Sequence, residues 1–250
     1  MVKRKKWGFA ISLAIVIGIV YFSMNAPIVA GDWTKQTIYL WGLNSCHIQT
    51  KNAKPKIQLI DDDSGYGVYA IKRLCDELQI KMAFAIIPSM MSQEIKDSLK
   101  IWQKQGYSIA LHGYKHDDWR EWKYEDVLND ISKCELWLEI SGFDTKRVKY
   151  VVTPRGSNTK AVRKAVKNKG YLMITGANIV NPDTEVFLNG RVFINQSTKL
   201  KDMEILLRRT KERKGYLILA THSSMPKEFS LEKTKAVLQI AIDMGFEFIQ

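Results

Sequence analysis

Residues 56–87 read KIQLIDDDSGYGVYAIKRLCDELQIKMAFAII. Lys56-Ile-Gln-Leu-Ile60 is a short, mostly apolar run that ends abruptly on three aspartates. From Tyr66 to Gln79 the spacing changes. Ile71, Leu74, Cys75 and Leu78 recur every three or four residues, the period of one helix face. Lys81 to Ile87 is again a compact apolar run, and Pro88, which has no N–H for a ladder, stops it. A strand, a helix and a second strand in so short a stretch predict two parallel strands joined by a crossover helix.

The same alternation continues to the last residue. Helices are predicted over Ser92 to Gln105, Tyr124 to Ile140 (with Tyr124, Leu128, Ile131 and Leu138 in register), Asn158 to Asn168, Leu200 to Arg213 and Leu231 to Met244. Between and after them come strands over Tyr107 to Leu111, Val148 to Val152, Tyr171 to Thr175, Arg191 to Ile194, Gly215 to Ala220 and Phe246 to Ile249. The expected fold is α/β with mostly parallel strands, in an open sheet or a closed barrel. No repeat, low-complexity tract or linker divides residues 56–250, so they are read as one domain.

Before the domain the chain has another character. Lys3, Arg4, Lys5 and Lys6 precede an uncharged apolar run from Trp7 to Phe22, the layout of an export signal. Ala26 and Ala30 are small enough for cleavage, but Pro27 and Ile28 spoil both sites, so an uncleaved membrane anchor is an equal alternative. Either reading places the remainder outside the cytoplasm. Residues 1–30 are assigned to this segment and 31–55 to an irregular lead-in.

The composition is that of a globular protein, 46% apolar and 26% charged, with a formal net charge of +12. That excess suits anionic surroundings, or simply a lysine-rich solvated surface. No basic cluster interleaved with aromatics appears on one predicted face, which argues against nucleic acid. Cys46, Cys75 and Cys134 lack metal-like spacing, and Cys75 and Cys134 fall on apolar helix faces as buried free thiols.

In parallel α/β folds the chemistry sits beyond the carboxyl ends of the strands. Asp61, Asp62 and Asp63 follow the first strand, His112 and His116 follow the third, and His222 follows the strand from Gly215. Of the four histidines only His47 does not follow a strand. An aspartate run alone is more often a solvated turn, and a lone His-x-x-x-His often means nothing. Their conjunction at strand ends is harder to explain away. Adjacent carboxylates repel unless a cation compensates. One carboxylate and two imidazoles form a three-ligand site with open positions. A second aspartate could take a proton from water, and a histidine opposite could give one to a leaving amine. Those parts make an amide or ester hydrolase.

Four segments resemble the polysaccharide deacetylases that share the NodB homology domain, members of the carbohydrate esterase family 4 type. Ile57-Gln-Leu-Ile-Asp-Asp-Asp-Ser-Gly65 is similar to the first family motif, and Leu111-His-Gly-Tyr-Lys-His116 to the second. Val152-Thr-Pro-Arg-Gly-Ser-Asn158 is similar to the third, and Ile218-Leu-Ala-Thr-His222 to the fifth. The resemblance implies a distorted (β/α)7-type barrel. It implies removal of acetyl groups from N-acetylated, less often O-acetylated, sugars of a surface or extracellular polysaccharide. A glycan containing N-acetylglucosamine is the expected substrate, and a divalent metal the expected cofactor. Zinc is the ion that the nitrogen-rich ligand set favours.

By that resemblance His112 and His116 bind the metal with one aspartate, the preceding aspartate is the base, and His222 is the acid. Aligning Ser64 with the family glycine makes Asp62 the base and Asp63 the ligand. Counting back without a gap gives Asp61 and Asp62 instead, so Asp61 stays among the catalytic candidates. Val152 stands where many members carry an arginine that contacts the base, and Arg155 lies inside the turn. No Trp occurs after Trp137, so the fourth motif cannot be assigned. Arg155, Trp119 and Arg191 are the candidate substrate contacts, with Arg191 at the start of a strand as a local substitute and Trp122 as a further ring. Two rivals stand beside this reading: an exported, inactive glycan-binding protein on the same fold, and an amide hydrolase with a non-sugar substrate.

Overall fold

The computed structural model describes residues 54–176, 181, 187–212 and 215–250. The expected signal or anchor, most of the lead-in, Cys46 and His47 lie outside those residues. Strands β1 (Lys56–Asp61), β2 (Ala83–Ile86), β3 (Ser108–Leu111), β4 (Tyr150–Val152), β5 (Leu172–Gly176), β6 (Leu188–Phe193), β7 (Tyr216–Thr221) and β8 (Glu247–Phe248) make one sheet. Between them lie helices α1 (Val68–Glu77), α2 (Gln93–Lys104), α3 (Tyr124–Ile140), α4 (Lys160–Asn168), α5 (Leu200–Glu212) and α6 (Leu231–Asp243). Ser92, Thr159 and Ser230 start α2, α4 and α6 by accepting from the backbone N–H three residues on. Among the described residues no helix is long and apolar enough to cross a membrane.

Strands β1 to β7 are parallel and pair in chain order, and β7 runs against the whole of β1, from Lys56↔Tyr216 to Asp61↔Thr221. The other edge of β1 is shared. β8 takes its beginning (Lys56↔Glu247, Ile57↔Phe248), and β2 takes only its end (Ile60↔Ala83, Asp61↔Phe84). The result is the closed, distorted (β/α)7 barrel that the motifs implied.

Strand pleating sorts the side chains into two layers. Ile57, Leu59, Leu111, Val151, Val192, Leu217 and Leu219 face outward into the core beneath the helices. Ile60, Ala83, Ala85, Ala110, Val152, Ile174 and Ile218 fill the narrow barrel interior, where Tyr216 donates to Gln58. Cys75 and Cys134 are buried free thiols, as their helix faces suggested. Strand β6 begins three residues earlier than expected, because Asn189-Gly190 reads as a turn. Here the buried Asn181 side chain pairs with both polar groups of Gly190, at 2.7 and 2.8 Å, and keeps that backbone extended.

Candidate active site

The site is built at the carboxyl end of the barrel. The ladders run one residue past the strands: Asp62 N–H donates to Thr221 O at 2.8 Å and His112 N–H to Ile86 O at 3.1 Å. Inward parity then carries on from Ile60 to Asp62, from Ala110 to His112 and from Ala220 to His222. Asp63 and His116 sit in left-handed backbone, with φ of 67° and 61°. Asp and His tolerate that region better than most residues, and held there they turn toward one point.

Asp63 Oδ1 lies 3.1 Å from His112 Nε2 and 3.5 Å from His116 Nε2. One ligand atom from each residue falls within 4.8 Å of the other two. Donor atoms around a tetrahedral zinc at about 2.0–2.1 Å would stand about 3.3–3.5 Å apart, so the cluster is close to that size. The donor chemistry also fits. His112 Nδ1 is 2.7 Å from the Val152 carbonyl, which only accepts, so Nδ1 carries the hydrogen. With Nδ1 so engaged, Nε2 is the ring atom left facing Asp63, whose Oδ1 is buried without a hydrogen bond. Burial, then the neighbouring His112, depresses the proton affinity of His116. Burial acting alone would raise the Asp63 pKa, but the imidazoles beside it hold it at about 2. Three electron-rich atoms facing one another suit a cation.

Gly113 sits between the two histidines at φ 76°, and a side chain there would press on Pro154 at 2.7 Å. From α3, the buried Asp130 carboxylate accepts the Tyr114 N–H at 2.8 Å. The histidine loop is therefore gripped from two sides. Arg155, exposed at φ 50°, projects from the Pro154–Gly156 turn that packs on this loop.

Asp62 is buried and paired with Arg191 Nη2 at 2.8 Å. His222 Nε2 lies 3.7 Å from Asp62 Oδ2, and its Nδ1 lies 3.7 Å from Glu228 Oε2. The His222 ring stacks on Phe193, centroids 4.7 Å apart and planes 11° from parallel. On the rim Tyr66 is 73% exposed. It is followed by Gly67, whose backbone lies so close to Ser223 that a side chain would collide with it.

Three expected site residues are corrected. Asp61 faces outward, is fully buried, and accepts from Thr221 Oγ1 at 2.8 Å, Ser223 N at 2.9 Å and Ser223 Oγ at 2.6 Å. Burial pushes its pKa up to about 7 against the pull of those bonds. It braces β1 to the His222 loop and has no open face for chemistry. Trp119 is fully buried in the core beside Trp122 and offers no ring to a sugar. Arg191 lies in the middle of β6 rather than at its start, only 3% exposed and turned to Asp62, so it does not line an open surface. Phe193 was not foreseen. Its spacing of two from Arg191 puts both on one strand face, but the sequence does not show that this face meets His222.

The polysaccharide deacetylase family matches residues 49–174, about half of the chain. The chain belongs to that family. Curated proteins compared by sequence give no match. Solved structures of similar fold include the family 4 esterase domain of a multidomain xylanase from the hindgut metagenome of Trinervitermes trinervoides. It is 16% identical with a TM-score of 0.59, over 79% of this chain and 87% of that one. The catalytic domain of a peptidoglycan N-acetylglucosamine deacetylase from Eubacterium rectale is 14% identical with a TM-score of 0.53, over 82% and 92%. A family 4 pseudoenzyme from Bacillus anthracis is 15% identical with a TM-score of 0.55, over 78% and 63%. At these identities the likeness concerns the fold of the deacetylase domain. Its site is argued from its own residues.

Proposed function

We propose that this deacetylase hydrolyses the N-acetyl, or less often O-acetyl, groups of a polysaccharide outside the cytoplasm. A glycan containing N-acetylglucosamine, such as peptidoglycan, is the expected substrate. The observation that carries the reading is the convergence of Asp63, His112 and His116 beside the buried Asp62 and the half-exposed His222. Asp63, His112 and His116 would hold a divalent cation, zinc by their nitrogen-rich donor set. Such an ion would polarise the acetyl carbonyl and make a water more acidic. Asp62 takes the proton from that water as its oxygen joins the acetyl carbon. His222 gives a proton to the sugar nitrogen as the carbon–nitrogen bond breaks, leaving acetate and a free amine. Tyr66 offers the rim an exposed ring of the kind that packs on sugar faces.

The test is acetate release by the full chain from N-acetylglucosamine oligomers, peptidoglycan and acetylated xylan. It is run with chelator, and again after zinc is restored. Release that chelator abolishes and zinc restores supports the proposal. A metal-loaded, folded protein that binds glycan but frees no acetate from any of them would be the inactive binding protein instead.

A further inference from the structure

Strand β6 carries a cation and an aromatic ring one pleat apart, and neither belongs to the motifs by which the chain resembles its family. Val192 and Ile194 face the outer core, so Arg191 and Phe193 face the barrel mouth. We infer that β6 positions both members of the proton-transfer pair, Arg191 fixing Asp62 and Phe193 fixing His222. The naming of that pair rests on the function proposed above; the contacts do not.

The register explains how one strand reaches both. Arg191 aligns with Ile218 on β7, and Phe193 aligns with Ala220. Ala220 in turn aligns with Ile60 on β1, one pleat below Asp62. Arg191 therefore reaches up and across β7 to Asp62, and Ala220 presents only a methyl group in its way. Among the described residues neither Asp62 oxygen has a hydrogen bond of good geometry, so the 2.8 Å pair with Arg191 is what orients the carboxylate. At that distance the guanidinium holds the buried carboxylate by its charge.

Phe193 serves the other partner. Ile194 N–H donates to Ala220 O at 2.8 Å, which holds β6 against β7 just before β7 delivers His222. The imidazole then lies nearly flat on the Phe193 ring. The Arg191 guanidinium carbon is 5.1 Å from the centre of that same ring. Asp62, Arg191, Phe193 and His222 thus form one continuous run of contacts. Glu228 adds less constraint, because its side chain is 56% exposed.

The experiment compares the full chain with Phe193→Leu, Phe193→Tyr, Arg191→Met and Arg191→Lys. It reads kcat and KM separately, metal content, thermal unfolding, and the rate at which diethyl pyrocarbonate modifies His222, followed by peptide mass. Phe193→Leu should lower kcat about 10–100-fold with KM held within about twofold, and Phe193→Tyr should recover most of the loss. His222 should be modified several times faster in the leucine variant and at the parent rate in the tyrosine variant. Arg191→Met should lower kcat about 100-fold with metal content unchanged, and Arg191→Lys should fall between. Equal loss in both Phe193 variants, a rise in KM at constant kcat, or unaltered His222 reactivity would overturn the inference. If Arg191→Met unfolds, Arg191→Lys with parent kcat overturns the Asp62 half and a lowered kcat upholds it. If the parent chain frees no acetate yet His222 reactivity follows Phe193, the positioning stands and the proposed function falls.

Discussion

Asp61 accepts from Thr221 and Ser223, Asp62 meets Arg191, and Asp63 meets His112 and His116. The pleat of β1 separates the first two, and the left-handed turn at Asp63 aims the third. That division was hidden in the sequence. Both faces of β1 carry apolar residues, Ile57 and Leu59 outward and Ile60 inward beside Gln58, so the apolar pattern does not mark the parity on which the aspartates fall. The histidines were legible because each follows a strand that its apolar run makes plain. Asp63→Asn and the double change His112→Ala with His116→Ala should each lose bound metal. Asp62→Asn and His222→Ala should retain it while turnover falls on the order of 10²–10⁴-fold. Metal analysis beside kcat checks both, and full metal in the double histidine variant would remove the ligand assignment. Asp61→Asn should act through stability. An amide turned toward three donors leaves at least one of them unpaired, at about 1–3 kcal/mol, read as a lower midpoint in denaturant with m unchanged.

At the scale of elements, the helices were found from periodicity and differ from expectation by a few residues at their ends. β6 starts before Asn189-Gly190, a pair that imitates a turn, because the ladder with β5 and the Asn181 side chain both hold that backbone extended. The expected strand from Arg191 to Ile194 already puts Arg191 and Phe193 on one face, but not the residues they meet across the barrel mouth. Trp119 failed as a sugar contact for a related reason: a ring just after a motif can turn into the core as readily as out of it. Ala220 makes the element-level test. A larger residue at this buried position stands across the path of Arg191, so Ala220→Leu should part Arg191 from Asp62. Overpacking should cost about 1–3 kcal/mol, and kcat should fall with metal content intact. Parent kcat in a folded Ala220→Leu protein would show that the guanidinium takes another route.

For the whole molecule, strand and helix alternation announced a parallel α/β fold, but not whether the sheet closes. Closure depends on β1 meeting β2 at only two residue pairs, a detail of register with no signature in composition. Metal should bind the folded barrel and not the unfolded chain, since its ligands follow β1 and β3. Chelation should therefore lower the thermal midpoint, and zinc should restore it in proportion to its concentration. A midpoint indifferent to both would mean that the ion contributes nothing to the folded state. Fractionation of producing cells should place the full chain in the envelope or the medium, by the reading of residues 1–30. A mainly cytosolic pool would overturn it.

The bonds from Thr221 and Ser223 to Asp61 join residues 160 and 162 positions apart. Nearly the whole domain must be in place before they can form, and loops of that size close slowly. His222 and Asp62 therefore come together only when the seam between β1 and β7 shuts. A partly made copy holds no half-working catalyst. Activity becomes a report that folding has finished.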